Sequence, residues 1–268
     1  MPSDPSIGRV LLVGAGPGPA DLMTVRAQKA VQGAQALLYD ALVSEEVIAL
    51  APPGCFRIQT GKRAGRASMA QESINRLMLR LARRGLTVVR LKGGDPSIFG
   101  RVGEEVAYLR GRGVTTEVVP GVTAACAAAA QFDIPLTHRG VARRVLFATA
   151  RTEGGALVDL DWSGLADGQT TLALYMGKSA AGLLAKQLIA GGLDAGVPAA
   201  AIENAGAPSA RLVHAPLEGL AAALGVMNPQ GPVLILIGEV AAHAVDALAT
   251  TDPAPLTQAI PISLARRR

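Results

Sequence analysis

Five consecutive residues, Lys92-Gly93-Gly94-Asp95-Pro96, form the pattern in this chain best suited to grip a ligand. They follow Thr87–Leu91, an apolar run that reads as a strand. Two adjacent glycines let a ligand lie against bare backbone. Asp95 offers an acceptor suited to a ribose hydroxyl or an ammonium group, and Pro96 stiffens the turn. The same residue types also serve an ordinary turn. A second turn, Val119-Pro120-Gly121-Val122-Thr123, opens an Ala-rich helix. Its unbonded N–H groups and the Thr123 hydroxyl suit a carboxylate or an adenosine edge. A plain N-cap at Thr123 explains that pattern equally well.

Other chemistries are argued against by what the spacing lacks. Gly14-Ala15-Gly16-Pro17-Gly18 starts like a dinucleotide fingerprint, but its third glycine falls on Pro19. Pro17 and Pro19 also remove N–H donors that a phosphate cradle needs. A nicotinamide cofactor is therefore not expected. Gly177-Lys178-Ser179 ends like a phosphate-binding loop, yet its leading glycine position holds Leu172. His138, His214 and His243 lack metal-ligand spacing, so no metal is expected. No serine sits in a nucleophile elbow. The chemistry is expected from a cofactor that brings its own reactivity.

Elements must position these turns. Arg9–Val13 reads as a strand, with a helix after it capped at Thr24 and closed at Gly33. Gln35–Tyr39 is the next strand. Ser68–Arg84 is the clearest helix: Ser68 with Gln71 fits a capping box, and Ile74, Leu77, Met78 and Leu81 share one face. A short helix over Gly103–Arg110, a strand over Thr116–Val119 and a helix over Thr123–Phe132 complete the first half. The polar stretch Asp133–Arg143 reads as a linker. Strands follow at Val145–Thr149, Thr170–Tyr175, Ala199–Glu203, Arg211–His214 and Val233–Ile237. Helices fall near Ala180–Ala190, Leu217–Leu224 and Val240–Ala249. The alternation predicts two α/β domains with ligands at strand carboxyl ends. Their expected extents are 9–137 and 138–249, with a flexible arm over 1–8 and a tail over 250–268.

The 268 residues suffice for that core, which is built from Ala, Leu, Val and Gly with 3% aromatic residues. So few aromatics argue against a stacking platform for single-stranded nucleic acid. The net charge of +5 favours an anionic partner, and a polyanionic metabolite suits it as well as nucleic acid does. Cys55 and Cys126 stand far apart, as expected of a reduced cytoplasmic protein. From the opening Met1-Pro2-Ser3-Asp4 no signal peptide is expected, and no apolar run approaches the ~20 residues of a membrane span.

Taken together, the segments resemble the tetrapyrrole methylase family, the class III methyltransferases. The resemblance runs from about Arg9 to about Glu239. It is carried by Val13–Gly18, Leu22–Ala27, Tyr39-Asp40-Ala41-Leu42-Val43, Lys62-Arg63, Gly93–Arg101 with Glu104-Glu105, and Pro120–Ala125. Pro135-Leu136-Thr137-His138-Arg139, Tyr175-Met176-Gly177 and Ile202-Glu203-Asn204 extend it. The chain departs from the family pattern at Ser97, Val102, Ala148–Arg151 and Ala205.

The resemblance implies that S-adenosylmethionine lies folded in a cleft between two α/β domains, against Pro17, Gly93, Gly94, Asp95, Ile98, Thr123, Ala124, Met176 and Ala205. It implies that methyl groups pass to carbons of a polycarboxylate tetrapyrrole, uroporphyrinogen III in the subgroup matched best, twice in succession. It makes Asp40 the proton acceptor and Lys62 the donor, and puts Arg101 and Glu104 near the macrocycle. An arginine stays protonated, so Arg101 reads as a carboxylate or transition-state clamp tuned by Glu104 before it reads as a base. Arg26, Arg63, Arg139 and Arg151 are candidates to pair with substrate carboxylates. A cytoplasmic homodimer without membrane or nucleic-acid partners is expected. The rival readings are another precorrin methylase, a ribosomal RNA methyltransferase of the same fold, or a non-catalytic sensor.

Overall fold

The computed structural model describes residues 7–61, 69–150 and 168–244. The expected tail at 250–268 and most of the expected arm lie outside the described residues, as do Lys62, Arg63, Arg151 and Ser68.

Five parallel strands form a first sheet: β1 (Arg9–Gly14), β2 (Ala36–Tyr39), β3 (Phe56–Gln59), β4 (Val88–Lys92) and β5 (Thr115–Val119). Their order is β3-β2-β4-β1-β5. The central strands β1 and β4 are buried along nearly their whole length, which is why they read as unbroken apolar runs rather than alternating ones. Helices α1 (Val25–Gln32), α2 (Glu45–Ala49), α3 (Gln71–Ala82) and α4 (Val102–Arg110) connect the strands. Thr24 caps α1 as expected, accepting from the Ala27 N–H at 3.1 Å.

Two first-half elements went unread in the sequence. β3 is an edge strand with Phe56 and Arg57 exposed, so it carries no buried stripe to detect. α2 spans five residues, too few for a helical period to repeat. The helix expected over Ser68–Arg84 instead begins at Gln71, with Ala70 at its N-cap position and no side-chain cap. The capping-box partner Ser68 lies outside the described residues; the Gln71 Nε2 donates to Glu105 Oε1 at 2.9 Å, a partner the capping-box pattern did not suggest. The apolar stripe is as expected, with Ile74, Met78 and Leu81 buried.

The second sheet is mixed, with order β6-β7-β10-β8-β9. Its strands are β6 (Arg144–Thr149), β7 (Thr170–Tyr175), β8 (Pro198–Glu203), β9 (Arg211–Pro216) and β10 (Val233–Ile237). β7 and β8 both run antiparallel to β10, so their carboxyl ends lie at the same edge. The helix α5 (Ala124–Gln131) follows the first sheet in sequence but shares a core with the second. Its Ala125 and Ala128, with Phe132, pack with Ala173, Ala200, Ile202 and Leu236. Small side chains let this helix approach the strands closely. Within the stretch read as a polar linker, Ile134 and Ala142 are buried in the same core. The average polarity that suggests a linker hides two well-placed apolar residues. Helices α6 (Ala181–Ala190) and α7 (Leu220–Met227) are each preceded by a 3-10 turn. The expected helix at Val240–Ala249 is a 3-10 segment, Glu239–His243, where described.

Glu203 closes the β8–β9 end of this sheet. Its side chain is buried and accepts from the Gly231 and Gln230 N–H groups at 2.5 Å each, and from Arg211. The Gly231 N–H above all, with Arg211 and Gln230, holds its carboxyl below the ordinary glutamate range against the opposing effect of burial. A carboxyl depressed in the folded state adds stability above its unfolded pKa and loses it as the pH falls through its folded one. Glu203→Gln is therefore expected to lower the thermal midpoint at pH 7 and to flatten its decline as the pH falls below the ordinary glutamate range. A decline as steep as that of the unsubstituted chain would show that other carboxyls set it.

Candidate functional site

Three turns meet at the carboxyl edge of the first sheet, and glycine is what lets them meet. Gly16 and Gly94 exchange backbone hydrogen bonds, at 2.7 Å from the Gly94 N–H and 3.2 Å from the Gly16 N–H. The Gly16 loop therefore spends its amides on the Gly94 turn rather than on a phosphate. A side chain on Gly121 would place its first carbon 2.3 Å from the Gly94 carbonyl oxygen and 2.8 Å from the Gly14 Cα. Gly94 has φ +67, and a Cβ added there would be in ordinary contact with the Thr123 Cα at 3.9 Å and the Val122 carbonyl oxygen at 4.0 Å. Bare backbone at Gly94 thus lies beside Thr123.

Two carboxylates brace these turns. Asp95 accepts from the Ser97 N–H at 2.7 Å through one oxygen and from the Gly121 N–H at 3.0 Å through the other. Asp40, just past β2, accepts from the Leu42 N–H at 2.9 Å and the Gly93 N–H at 3.2 Å. Each carboxylate oxygen keeps a second lone-pair site for a ligand. The Thr24 hydroxyl, beyond capping α1, donates to the Pro120 carbonyl at 3.1 Å and ties in the third turn.

Beneath the Gly93 turn lies a buried charge cluster. Lys92 Nζ donates to both oxygens of Glu105 at 3.0 Å, and Arg90 Nε donates to one at 3.3 Å. Glu105 is wholly buried, and Arg90 and Lys92 are nearly so. Burial pushes the Lys92 ammonium pKa down, and Arg90 adds to that, while Glu105 and then Asp40 oppose it. The alternation of Arg90 and Lys92 in an otherwise apolar strand was the signal available in the sequence, since two buried cations on one strand face demand an acid.

Past the turn, Arg101 sits at φ 57, left-handed, at the N-cap position of α4. Its Nε and Nη2 bind the two oxygens of Glu104 at 2.9 and 2.7 Å, a bidentate pair about half exposed. Arg101 holds the Glu104 carboxyl below its ordinary pKa, so the pair is ionised at neutral pH. Phe99, two residues earlier, is also left-handed at φ 53 and exposed.

The second sheet approaches through its own strand-end turns. Tyr175 ends β7, and its hydroxyl lies 2.6 Å from Thr123 Oγ1 and accepts from the Ala125 N–H at 3.2 Å. Thr123 therefore occupies the N-cap position of α5 without capping it; Tyr175 takes the helix N–H instead. The Tyr175 ring packs against Phe99, with centroids 5.2 Å apart, and against Phe147 at 6.1 Å. Met176 follows at φ 57, half exposed. At the end of β8, Gly206 packs against Pro17, where an added side chain would come within 2.6 Å of the Pro17 ring. Gln131, the last residue of α5, holds the same turn by accepting from the Gly206 N–H at 2.8 Å and donating to the Ala207 carbonyl at 3.0 Å.

Comparisons with known proteins fit this geometry. Residues 9–221 match the model of the tetrapyrrole (corrin/porphyrin) methylases. The chain belongs to that family. A uroporphyrinogen-III C-methyltransferase of Paracoccus denitrificans is 46% identical over 240 residues, 90% of this chain and 84% of that protein. The crystal structure of the Thermus thermophilus uroporphyrin-III C-methyl transferase complexed with S-adenyl homocysteine is 44% identical. It covers 87% of this chain and 98% of its own, with a TM-score of 0.76. A siroheme synthase of Nitrosospira multiformis is 46% identical over 237 residues, and this chain spans half of its length.

In this tetrapyrrole methylase the residues read from the sequence fall into three groups. Pro17, Gly93, Gly94, Asp95, Thr123 and Ala124 converge on the meeting strand ends. Ile98, Met176 and Ala205 stand in turns joined to them through Phe99, Tyr175 and Gly206. Asp40 reaches the Gly93 turn from the loop after β2, and the Arg101–Glu104 pair stands at the start of α4, beyond that turn. Arg26 instead reaches Glu117 on β5 at 3.8 Å, and Arg139 is exposed in the turn closed by His138 and Ala142. Among the described residues no group of three His, Cys, Asp or Glu is placed to hold a metal ion, and no helix is long and apolar enough to cross a membrane.

Tyr175 was missed as a site residue. The chain has only four Phe and three Tyr, and two Phe with one Tyr cluster at this edge, which was the available signal.

Proposed function

We propose that the chain transfers methyl groups from S-adenosylmethionine to pyrrole carbons of uroporphyrinogen III, twice in succession, giving precorrin-2 and two molecules of S-adenosylhomocysteine. The observation that carries this reading is the set of glycine turns braced by Asp95 at the edge of the first sheet, in a chain 46% identical to a curated uroporphyrinogen-III C-methyltransferase. Bare backbone at Gly93 and Gly94, with Thr123 and Ala124 at the start of α5 and Met176 and Ala205 in the turns next to Tyr175 and Gly206, suits an adenosine and a methionine chain. The sulfonium of S-adenosylmethionine supplies an electrophilic methyl with a neutral thioether as leaving group.

The protein's work is then to hold the attacking carbon in line with that methyl and keep water away. Carbon attack also releases a proton. Asp40 is the acceptor: its carboxylate is fixed by two backbone N–H groups and keeps free lone pairs. Lys62 is the donor. Arg101 clamps a substrate carboxylate or the charge that develops on the macrocycle, and Glu104 orients its fork. Arg26, Arg63, Arg139 and Arg151 pair with the remaining carboxylates. The two-domain division at 137/138 rests on the α/β alternation along the chain, the cytoplasmic location on the two separated cysteines, and the homodimer on the family resemblance.

The test is incubation with uroporphyrinogen III and S-adenosylmethionine, followed by a search for the red fluorescent oxidised product. Its absence, with the cofactor bound, would overturn the substrate assignment. Asp95 gives a second test. Asp95→Ala leaves the Ser97 and Gly121 N–H groups without their acceptor and removes the anion from the cofactor side. Calorimetry is expected to show S-adenosylhomocysteine binding weakened by about 10- to 100-fold. Unchanged affinity would remove Asp95 from the cofactor site.

A further inference from the structure

We infer that Tyr175 is a positioning residue for the cofactor, and that the Tyr175–Thr123 hydroxyl pair presents one donated proton to it. The inference rests on the proposed S-adenosylmethionine site and deepens it.

One side chain links two segments of that site to a third, the one that carries it. The Tyr175 ring packs on Phe99, next to Ile98 in the glycine turn. Its hydroxyl reaches Thr123 and the Ala125 N–H at the start of α5. Its own backbone leads into Met176, held at a left-handed φ of 57. Such a conformation in a bulky residue persists only where surrounding contacts impose it. The ring is fixed on its other side by Phe147. At the far end of α5, Gln131 clasps the Gly206 turn, so the helix is held at both ends against the second sheet.

The hydrogen-bond arithmetic at the hydroxyl pair points to a ligand. Two hydroxyl protons are present, one on Tyr175 and one on Thr123. The Tyr175 oxygen already accepts from the Ala125 N–H. One proton is used between the two oxygens at 2.6 Å, whichever residue donates it. The other has no acceptor among the described residues. Thr123 is 9% exposed and lies beside Gly94, its Cα 3.9 Å from where a Cβ on that glycine would stand. A nearly buried hydroxyl with an unused proton next to a ligand-permissive turn is suited to an acceptor atom of the ligand: a ribose oxygen, an adenine ring nitrogen or the methionine carboxylate. Burial raises the Tyr175 hydroxyl pKa, with the Thr123 bond opposing it, so the group stays a neutral donor at working pH.

Tyr175→Phe keeps the ring packing and deletes the hydroxyl. Its Kd for S-adenosylhomocysteine by calorimetry is expected to rise about tenfold. The KM for S-adenosylmethionine should rise by a similar factor, with kcat at saturation nearly unchanged. Thr123→Val removes the same bond from the other side, and serves if Tyr175→Phe fails to fold. The double variant is expected to bind no more than about threefold more weakly than the worse single one, because both changes delete one unit. Multiplicative losses in the double variant, or a Kd within about twofold of the unsubstituted chain in either single variant, would overturn the inference. So would a lowered thermal midpoint with unchanged affinity, which marks a merely structural bond. If the unsubstituted chain fails to bind S-adenosylhomocysteine, the cofactor reading itself falls instead.

Discussion

Arg101→Ala is expected to lower kcat/KM for uroporphyrinogen III at least ~100-fold while the Kd for S-adenosylhomocysteine changes less than about threefold. The magnitude is that of removing one pre-oriented donor from a charge-stabilising site, about 10²–10³ in rate. The split follows from position. Arg101 lies beyond the cofactor turn, and its guanidinium is engaged by Glu104 through both oxygens at 2.9 and 2.7 Å. That pairing fixes the plane of the fork, so the cost of ordering it is met before substrate arrives. Arg101 has φ 57, and alanine bears much the same backbone strain there as arginine does. The rate loss therefore reports the side chain. Arg101→Lys is expected to recover little, because an ammonium cannot bind a carboxylate through two parallel bonds. Turnover within about threefold of the unsubstituted enzyme would remove Arg101 from the reaction.

The second large effect is on stability. Glu105→Ala leaves Arg90 and Lys92 buried without their anion, and also frees the Gln71 amide that donates to it. Breaking a buried ionic cluster by removing one partner costs about 3–5 kcal/mol. For a chain of this size the thermal midpoint is expected to fall by roughly 6–20 °C. Lys92 already meets burial and the repulsion of Arg90, so without Glu105 its ammonium becomes harder still to keep charged. Pairing Lys92→Met with Glu105→Gln should recover much of the loss, since one cation goes and an acceptor for Arg90 remains. A midpoint for Glu105→Ala within about 2 °C of the original would show that water reaches the cluster. The cluster also bears on the site, because the Lys92 chain runs under Gly100, whose added Cβ would lie 3.2 Å from the Lys92 Cε. Loosening it is expected to disturb the Arg101 turn.

Much of this could be read along the chain. Thr170–Tyr175 and Val233–Ile237 are strands with the expected limits, and Thr24 is the cap its residue type suggested. The glycine turns after β1, β4 and β5 fall at strand carboxyl ends, as the α/β alternation required. These features depend on residues within a few positions of one another. Backbone conformations open to glycine, the stiffness of proline and the burial pattern of a strand are local properties, so the sequence determines them directly.

What the sequence left open was pairing. Glu105 was seen as half of a Glu104-Glu105 doublet, and nothing along the chain said that one carboxylate faces Arg101 near solvent while its neighbour is wholly buried against Lys92 and Arg90. The helical turn of about 100° per residue separates them, but which side is interior depends on where α4 lies against the sheet. Tyr175 meets Thr123 across 52 residues, and Pro17 meets Gly206 across the rest of the first sheet, α5 and three strands of the second sheet. A stretch read as linker supplies Ile134 and Ala142 to a core that α5 shares with the second sheet. Such choices are made by packing, where a small helix can lie close and which buried charge finds a partner. The sequence alone determined that ligand-permissive turns exist at the strand ends; the tertiary structure decided which of them face one another, because that depends on contacts between residues far apart in the chain.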